Sequence, residues 1–183
     1  MSSCAAARWN MFIGNVQRAV REAFAEVIVE SESQGLLDQD DTGGCFCLLM
    51  LGATDFLIAP MQVGEVPDGK AAKYTILCQE KARRLVDQFK QNGHVTSWQS
   101  RDPEKGLWGG AILGPDGQER QYAFSFSGLP EACDEAVSLL VAVKVDHLTG
   151  EAALEIGTAS GSDEILVECL DLDGRPPEEH GDR

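Results

Sequence analysis

Residues 107–127 read LWGGAILGPDGQERQYAFSFS. Leu107 to Leu113 and Glu119 to Ser127 flank Gly114-Pro115-Asp116-Gly117, where proline presets φ and glycine accepts a positive one, so the stretch predicts two strands joined by a turn. In the second run Tyr122, Phe124 and Phe126 point one way and Ala123 and Ser125 the other. That alternation describes a half-buried strand with an aromatic face. Upstream, Cys45 to Leu51 and Phe56 to Met61 are apolar runs of strand length around Gly52-Ala53-Thr54-Asp55, a second predicted hairpin. Pro60, which has no N–H to give a ladder, places its second run at an edge or a strand end.

Helical periods lie on either side of these ribbons. From Arg8 to Glu30, Trp9, Ile13, Val16, Val20, Phe24 and Val27 recur every three or four residues, with Gly35 as the stop. Between Asp68, read as an N-cap, and Gly93, read as the C-terminal glycine, Tyr74, Leu77, Cys78, Leu85, Val86 and Phe89 form a second stripe. That helix carries Lys70, Lys73, Lys81, Arg83, Arg84 and Lys90, six of the chain's 15 bases. Either these bases form a solvated face or they form an anion-binding face on a ligand pocket.

His94 to Ser100 reads as a short strand and Arg101-Asp102-Pro103 as a loop. Pro130 suits the first turn of a third helix, in which Glu131, Asp134 and Glu135 complement the positive end and Cys133, Val137, Leu140 and Val141 are buried. Ala153 to Thr158 and Glu164 to Leu170 fit a final hairpin or two short helices, because short apolar runs are ambiguous by period. Helix, hairpin, helix, hairpin, helix is most simply buried as an antiparallel sheet with helices packed on it, an α+β fold.

The chain has 183 residues and 19.8 kDa. At that mass, folding removes roughly 70% of the unfolded surface from water, which suits one core over residues 1–170. Residues 171–183 read as a disordered acidic tail. Thirty acids against 15 bases give a net charge of −15, which argues against binding nucleic acid or an anionic membrane surface. There is no run of 18 consecutive apolar residues and no signal-like N-terminus. The six cysteines, at Cys4, Cys45, Cys47, Cys78, Cys133 and Cys169, are too scattered for a disulfide scaffold. They point to reduced, mostly buried thiols in a cytoplasmic protein. Cys45 and Cys47 share one strand face but lack the further ligands that zinc needs.

Three groups of residues carry a family likeness. A strand–turn–strand unit at Cys45 to Met61 precedes a helix containing Lys81-Ala82. A glycine pair opens the later ribbon as Trp108-Gly109-Gly110-Ala111-Ile112. Ser127-Gly128 is followed after five residues by Asp134-Glu135-Ala136. In this order and spacing, Pro67 to Val143 resembles the GlcG/HbpS-like family of haem-binding and related proteins, which includes the C-terminal module of PduO. The resemblance implies a profilin-like, five-stranded antiparallel sheet with helices on both faces, assembled as a homo-oligomer. It also implies a small-molecule ligand, with haem or another anionic planar molecule as the candidate. Leu129-Pro130 departs from the small residues that usually follow Ser-Gly in the family.

Gly109, Gly110 and Gly128 lack Cβ atoms, so backbone there can approach a ligand or another strand closely. A strand end leading into a helix N-terminus offers amide donors. The candidate ligand-binding set is therefore Lys73, Lys81, Trp108, Gly109, Gly110, Ser127, Gly128 and Asp134. In the structural alternative, the glycines make a tight strand crossing and Ser127 caps the helix. Trp98, Trp108, Phe124 and Phe126 would line a haem slot or simply pack in the core. His94, His147 and His180 follow no ligand spacing, so no metal ligand or catalytic residue is assigned. Three functions remain open: a non-catalytic ligand-binding protein, an oligomeric scaffold or interaction protein that keeps the fold without the site, and an enzyme acting on a small acidic metabolite.

Overall fold

A computed structural model describes residues 3–52, 55–114 and 121–170. Helix α1 (Ser3–Ser33) leads into the hairpin β1 (Gly43–Met50) and β2 (Phe56–Gly64), followed by α2 (Ala71–Asn92). Next come a 3-10 turn at Ser97–Ser100, β3 (Ala111–Leu113), β4 (Tyr122–Ser127), α3 (Glu131–Lys144), α4 (Gly150–Gly157) and α5 (Asp163–Cys169). The order across the sheet is β2-β1-β4-β3, all antiparallel. Thr96 bridges Ile112 outside β3, and the Leu113 N–H donates to the Val95 carbonyl at 2.8 Å, which adds a one-bridge fifth strand. The α+β antiparallel architecture read from the two ribbons holds.

Helices cover both faces, so the sheet separates two cores. On one side Phe46, Leu48, Ile112, Tyr122, Phe124 and Phe126 pack under α1, α3, α4 and α5. On the other, Cys45, Cys47, Leu49, Ala111, Leu113 and Ala123 pack under Tyr74, Cys78, Ala82, Leu85 and Val86 of α2. The alternation along β4 therefore sorts large residues to one core and small ones to the other. All six of its residues are buried, which corrects the half-buried reading: a central strand roofed on both sides has no solvent face.

The long helices match their stripes, with α1 starting five residues before the predicted point. Gly93 closes α2 in the left-handed region at φ 73°, donating its N–H to the Phe89 carbonyl. Asp68 does not cap α2. Pro67 to Lys70 first form a turn closed by the Lys70 N–H on the Pro67 carbonyl, and the helix begins only after it. The strand expected over His94–Ser100 survives only at the Thr96 bridge. Thr96 and Gln99 form a capping box there that winds Ser97–Ser100 into the 3-10 turn. The open choice for the C-terminal runs resolves as helices α4 and α5, docked on α3 and α1.

β2 lies at the sheet edge. Its pairing with β1 shifts register between Phe46 and Leu48, which places a bulge at Ala59–Pro60. Among the described residues no helix is long and apolar enough to cross a membrane. The acidic tail and His180 lie outside the described residues, as does most of the turn at 114–117.

Candidate functional site

Lys81 lies on the buried face of α2, three residues after Cys78 and four before Leu85, and is 1% exposed. Its Nζ crosses the plane of the sheet beside the start of β3. It donates at 2.7 Å to Oδ2 of Asp134, on α3 across the sheet, and at 3.1 Å to the Phe126 carbonyl. Asp134 Oδ1 accepts from the Leu129 N–H at 2.9 Å. Both carboxylate oxygens are thus engaged, as a buried charge requires. Desolvation pushes the Asp134 carboxyl up to about 6 against the pull of the Lys81 ammonium and the amides at Leu129 and Gly128.

Gly110 makes this crossing possible. Its φ is +112°, and a Cβ there would stand 2.7 Å from Asp134 Cβ and 2.9 Å from Lys81 Nζ. The notch where a ligand could approach the glycine backbone is occupied by the chain's own ammonium. Gly109 faces the Trp98 ring, where a Cβ would lie 2.5 Å from Cε3. Gly128, at φ +150°, lies against the backbone of Gly43 and Gly44, where a Cβ would collide with Gly44 Cα. Both are close crossings within the chain, as in the structural alternative.

Glu135 adds a second buried carboxyl. Thr96 Oγ1 donates to its Oε2 at 2.5 Å, and Ser160 Oγ, from the α4–α5 turn, donates to its Oε1 at 2.9 Å. Burial pushes this carboxyl up to about 7, opposed by the Thr96 and Ser160 hydroxyls, the Gly110 amide and Lys81. Ser138 Oγ donates to the Gly110 carbonyl at 2.9 Å, anchoring the same strand start on α3.

Of the eight candidate ligand residues, the structure brings Lys81, Gly110 and Asp134 into direct contact. Gly109 and Gly128 flank them as packing positions. Ser127 is buried at the end of β4 opposite Cys45. It does not cap α3, whose cap position is Pro130 with no side-chain bond. The amide before the helix is satisfied instead by Asp134. Trp108 contributes its carbonyl, which accepts from Arg84 Nη2 at 2.5 Å. Lys73 is exposed and is not brought to the others. Phe124 and Phe126 are fully buried in the α1–α3 core, Phe126 with its ring centroid 5.8 Å from that of Phe24. His147 packs among Phe12, Tyr122 and Phe124, and burial lowers its pKa.

Sequence reasoning missed Arg84, which joins α2 to the 97–108 segment through Ser97 O, Ser100 O and Trp108 O. It also missed Thr96 and Ser160 as partners of Glu135. The Thr96 capping box was the available signal for the first. On the α2 side, the hydrogen bond with the Cys78 thiol and burial hold the Cys47 thiol well above its ordinary range, so it is not a poised nucleophile. Among the described residues, no group of three or more His, Cys, Asp or Glu is placed to hold a metal ion.

Chemically, the arrangement is one buried ion pair, Lys81–Asp134, beside a carboxyl held by two hydroxyls. Asp134 and Glu135 are buried, and each carboxyl oxygen has a hydrogen-bond partner within the chain. No family model, curated protein or solved structure matches the chain.

Proposed function

We propose that this protein is a non-catalytic interaction or scaffold protein that works as a homo-oligomer. In this reading it keeps a GlcG/HbpS-like order of motifs, while the notch at Gly110 is closed by its own residues. The observation that carries the reading is the 2.7 Å pair between Lys81 and Asp134, which puts the ammonium at the notch on an internal carboxylate. Admitting an anionic ligand there would strand Asp134 without its cation, at a cost of about 3–5 kcal/mol before any binding was gained. Contact with another protein is supported by Phe56, which is 57% exposed between two grooves at the β2 edge.

A titration tests it. Haem and a panel of anionic planar cofactors, added to the purified protein, should give neither a saturable Soret shift nor a rise in Tm. A saturable one-to-one spectral change, lost in Lys81→Met, would overturn the closed-site reading and restore ligand binding.

A further inference from the structure

The free edge of β2 is built differently from the rest of the surface. β2 has a strand neighbour on one side only, and its first residues stand between two grooves. On the α1 side, Trp9, Ile13, Gly14 and Gln17 face Phe56 and Ile58 across about 510 Å³. On the α2 side, Arg83, Val86 and Asp87 face Asp55 and Leu57 across about 460 Å³. Phe56 is the ridge between them.

Three features of this edge lack a reason within a single chain. Phe56 leaves more than half of its surface in water. Gly14 sits in the middle of a 31-residue helix, where glycine weakens the helix, yet a Cβ there would meet nothing within 4 Å. Arg83 and Asp87 are exposed one helical turn apart, and neither has an ion-pair partner among the described residues.

We propose that this edge is the contact between two copies of the chain, related by a two-fold axis passing beside Leu57. The inference rests on the oligomeric reading above and names its interface. A two-fold axis sets Arg83 of each copy opposite Asp87 of the other, so both charges find partners in one symmetric contact. A one-signed partner would satisfy only one of them and face the other as a like charge. On the opposite side of the sheet, α1 of each copy meets its counterpart at Gly14, where the missing side chain lets helices approach, and Phe56 fills the facing groove. Residues 171–183 contain one large apolar residue, Leu172, and do not supply an apolar filling for either groove.

The bulge and Pro60 limit the contact. Pro60 offers no N–H and the bulge breaks the ladder, so strands cannot add to β2 along its length. The association therefore closes as a pair held by side chains of α1, α2 and the first residues of β2.

Size-exclusion chromatography with light scattering on the full chain reads the outcome. Wild type should show the mass of two 19.8-kDa chains. Phe56→Glu should show the mass of one. Arg83→Asp, which sets two acids against each other twice, should weaken association by roughly tenfold or more. The charge swap Arg83→Asp with Asp87→Arg should restore it, which loss of folding could not mimic. Each variant should keep its monomer circular dichroism. A dimer indifferent to Phe56→Glu and Arg83→Asp overturns this interface while leaving an oligomer. A monomeric wild type, or one that gains mass only with a different protein, overturns the self-association itself. Failure of the closed-site reading is read separately, in the haem titration.

Discussion

At the β3 edge of the sheet an ammonium and two carboxyls lie buried, and each is bonded: Lys81 to Asp134 and the Phe126 carbonyl, Glu135 to Thr96 and Ser160. At the β2 edge Asp55 pairs with Lys90, Arg83 and Asp87 are exposed without an ion-pair partner among the described residues, and an aromatic ring faces water. The glycines follow the same division. Gly110 is needed because Lys81 and Asp134 fill the space its Cβ would take, whereas Gly14 faces open space. A glycine-rich strand end beside a basic helix suggests ligand chemistry in a sequence, but here the chain consumes it internally. The self-contact proposed above lies at the opposite edge.

The largest expected effect is at the closed edge. Lys81→Met leaves Asp134 without its cation and should cost about 3–5 kcal/mol, a fall in Tm of about 10 °C for a domain of this size. Lys81→Met with Asp134→Leu replaces both charges by apolar atoms and should recover most of that loss. A full double-mutant cycle by chemical denaturation measures both. A single mutant as stable as wild type would mean that the pair does not close the sheet.

Gly110→Ala follows at about 1–3 kcal/mol, because the new Cβ would meet Asp134 and Lys81 and the positive φ penalises any side chain. Gly69→Ala, also at positive φ but with nothing within 4 Å, is the control and should cost less. The difference between the two isolates the crowding at the notch.

The closed edge should also carry a pH signature. Asp134 rises from 3.8 to about 6 and Glu135 from 4.5 to about 7, so between about pH 4 and pH 7 the folded state binds more protons than the unfolded one. Stability contributed by these groups is therefore present at the acid end of that window and is lost as pH rises, by at most about 1.4 kcal/mol per pH unit per group. Glu135→Gln should flatten the upper part of that slope in Tm measured from pH 5 to 8. An unchanged slope would remove Glu135 from the cluster.

The smallest effect belongs to the open edge. Gly14→Ala should stabilise the monomer by about 0.5–1 kcal/mol through the helix backbone while weakening self-association. A gain in both would show that α1 does not approach its counterpart there.

Much of the architecture was legible because period and punctuation agreed. The α1 stripe, the α2 stripe with Gly93, both ribbons and Pro130 before α3 each follow from local rules. The short runs after His147 were not legible, since seven or eight residues fit either period and only docking on α1 and α3 decides them. His94–Ser100 reads as a strand by composition, whereas the Thr96–Gln99 capping box winds Ser97–Ser100 into a 3-10 turn. The residues of the candidate site were legible as a set, for Lys81, Gly110 and Asp134 do meet. Their role was not, because it depends on a side chain passing through the sheet between two helices on opposite faces. One clue was present: Lys81 falls on the apolar stripe between Cys78 and Leu85, where a solvated lysine does not belong.

Accessibility of a single amine tests the closed notch most directly. Reductive dimethylation of the native protein, mapped by mass spectrometry, should label Lys73, Lys90 and Lys105 while Lys81 stays unmodified until the protein is denatured. Labelling of Lys81 in the folded protein at a rate comparable to Lys73 would show that its ammonium is free, and the internal pair with Asp134 would be contradicted.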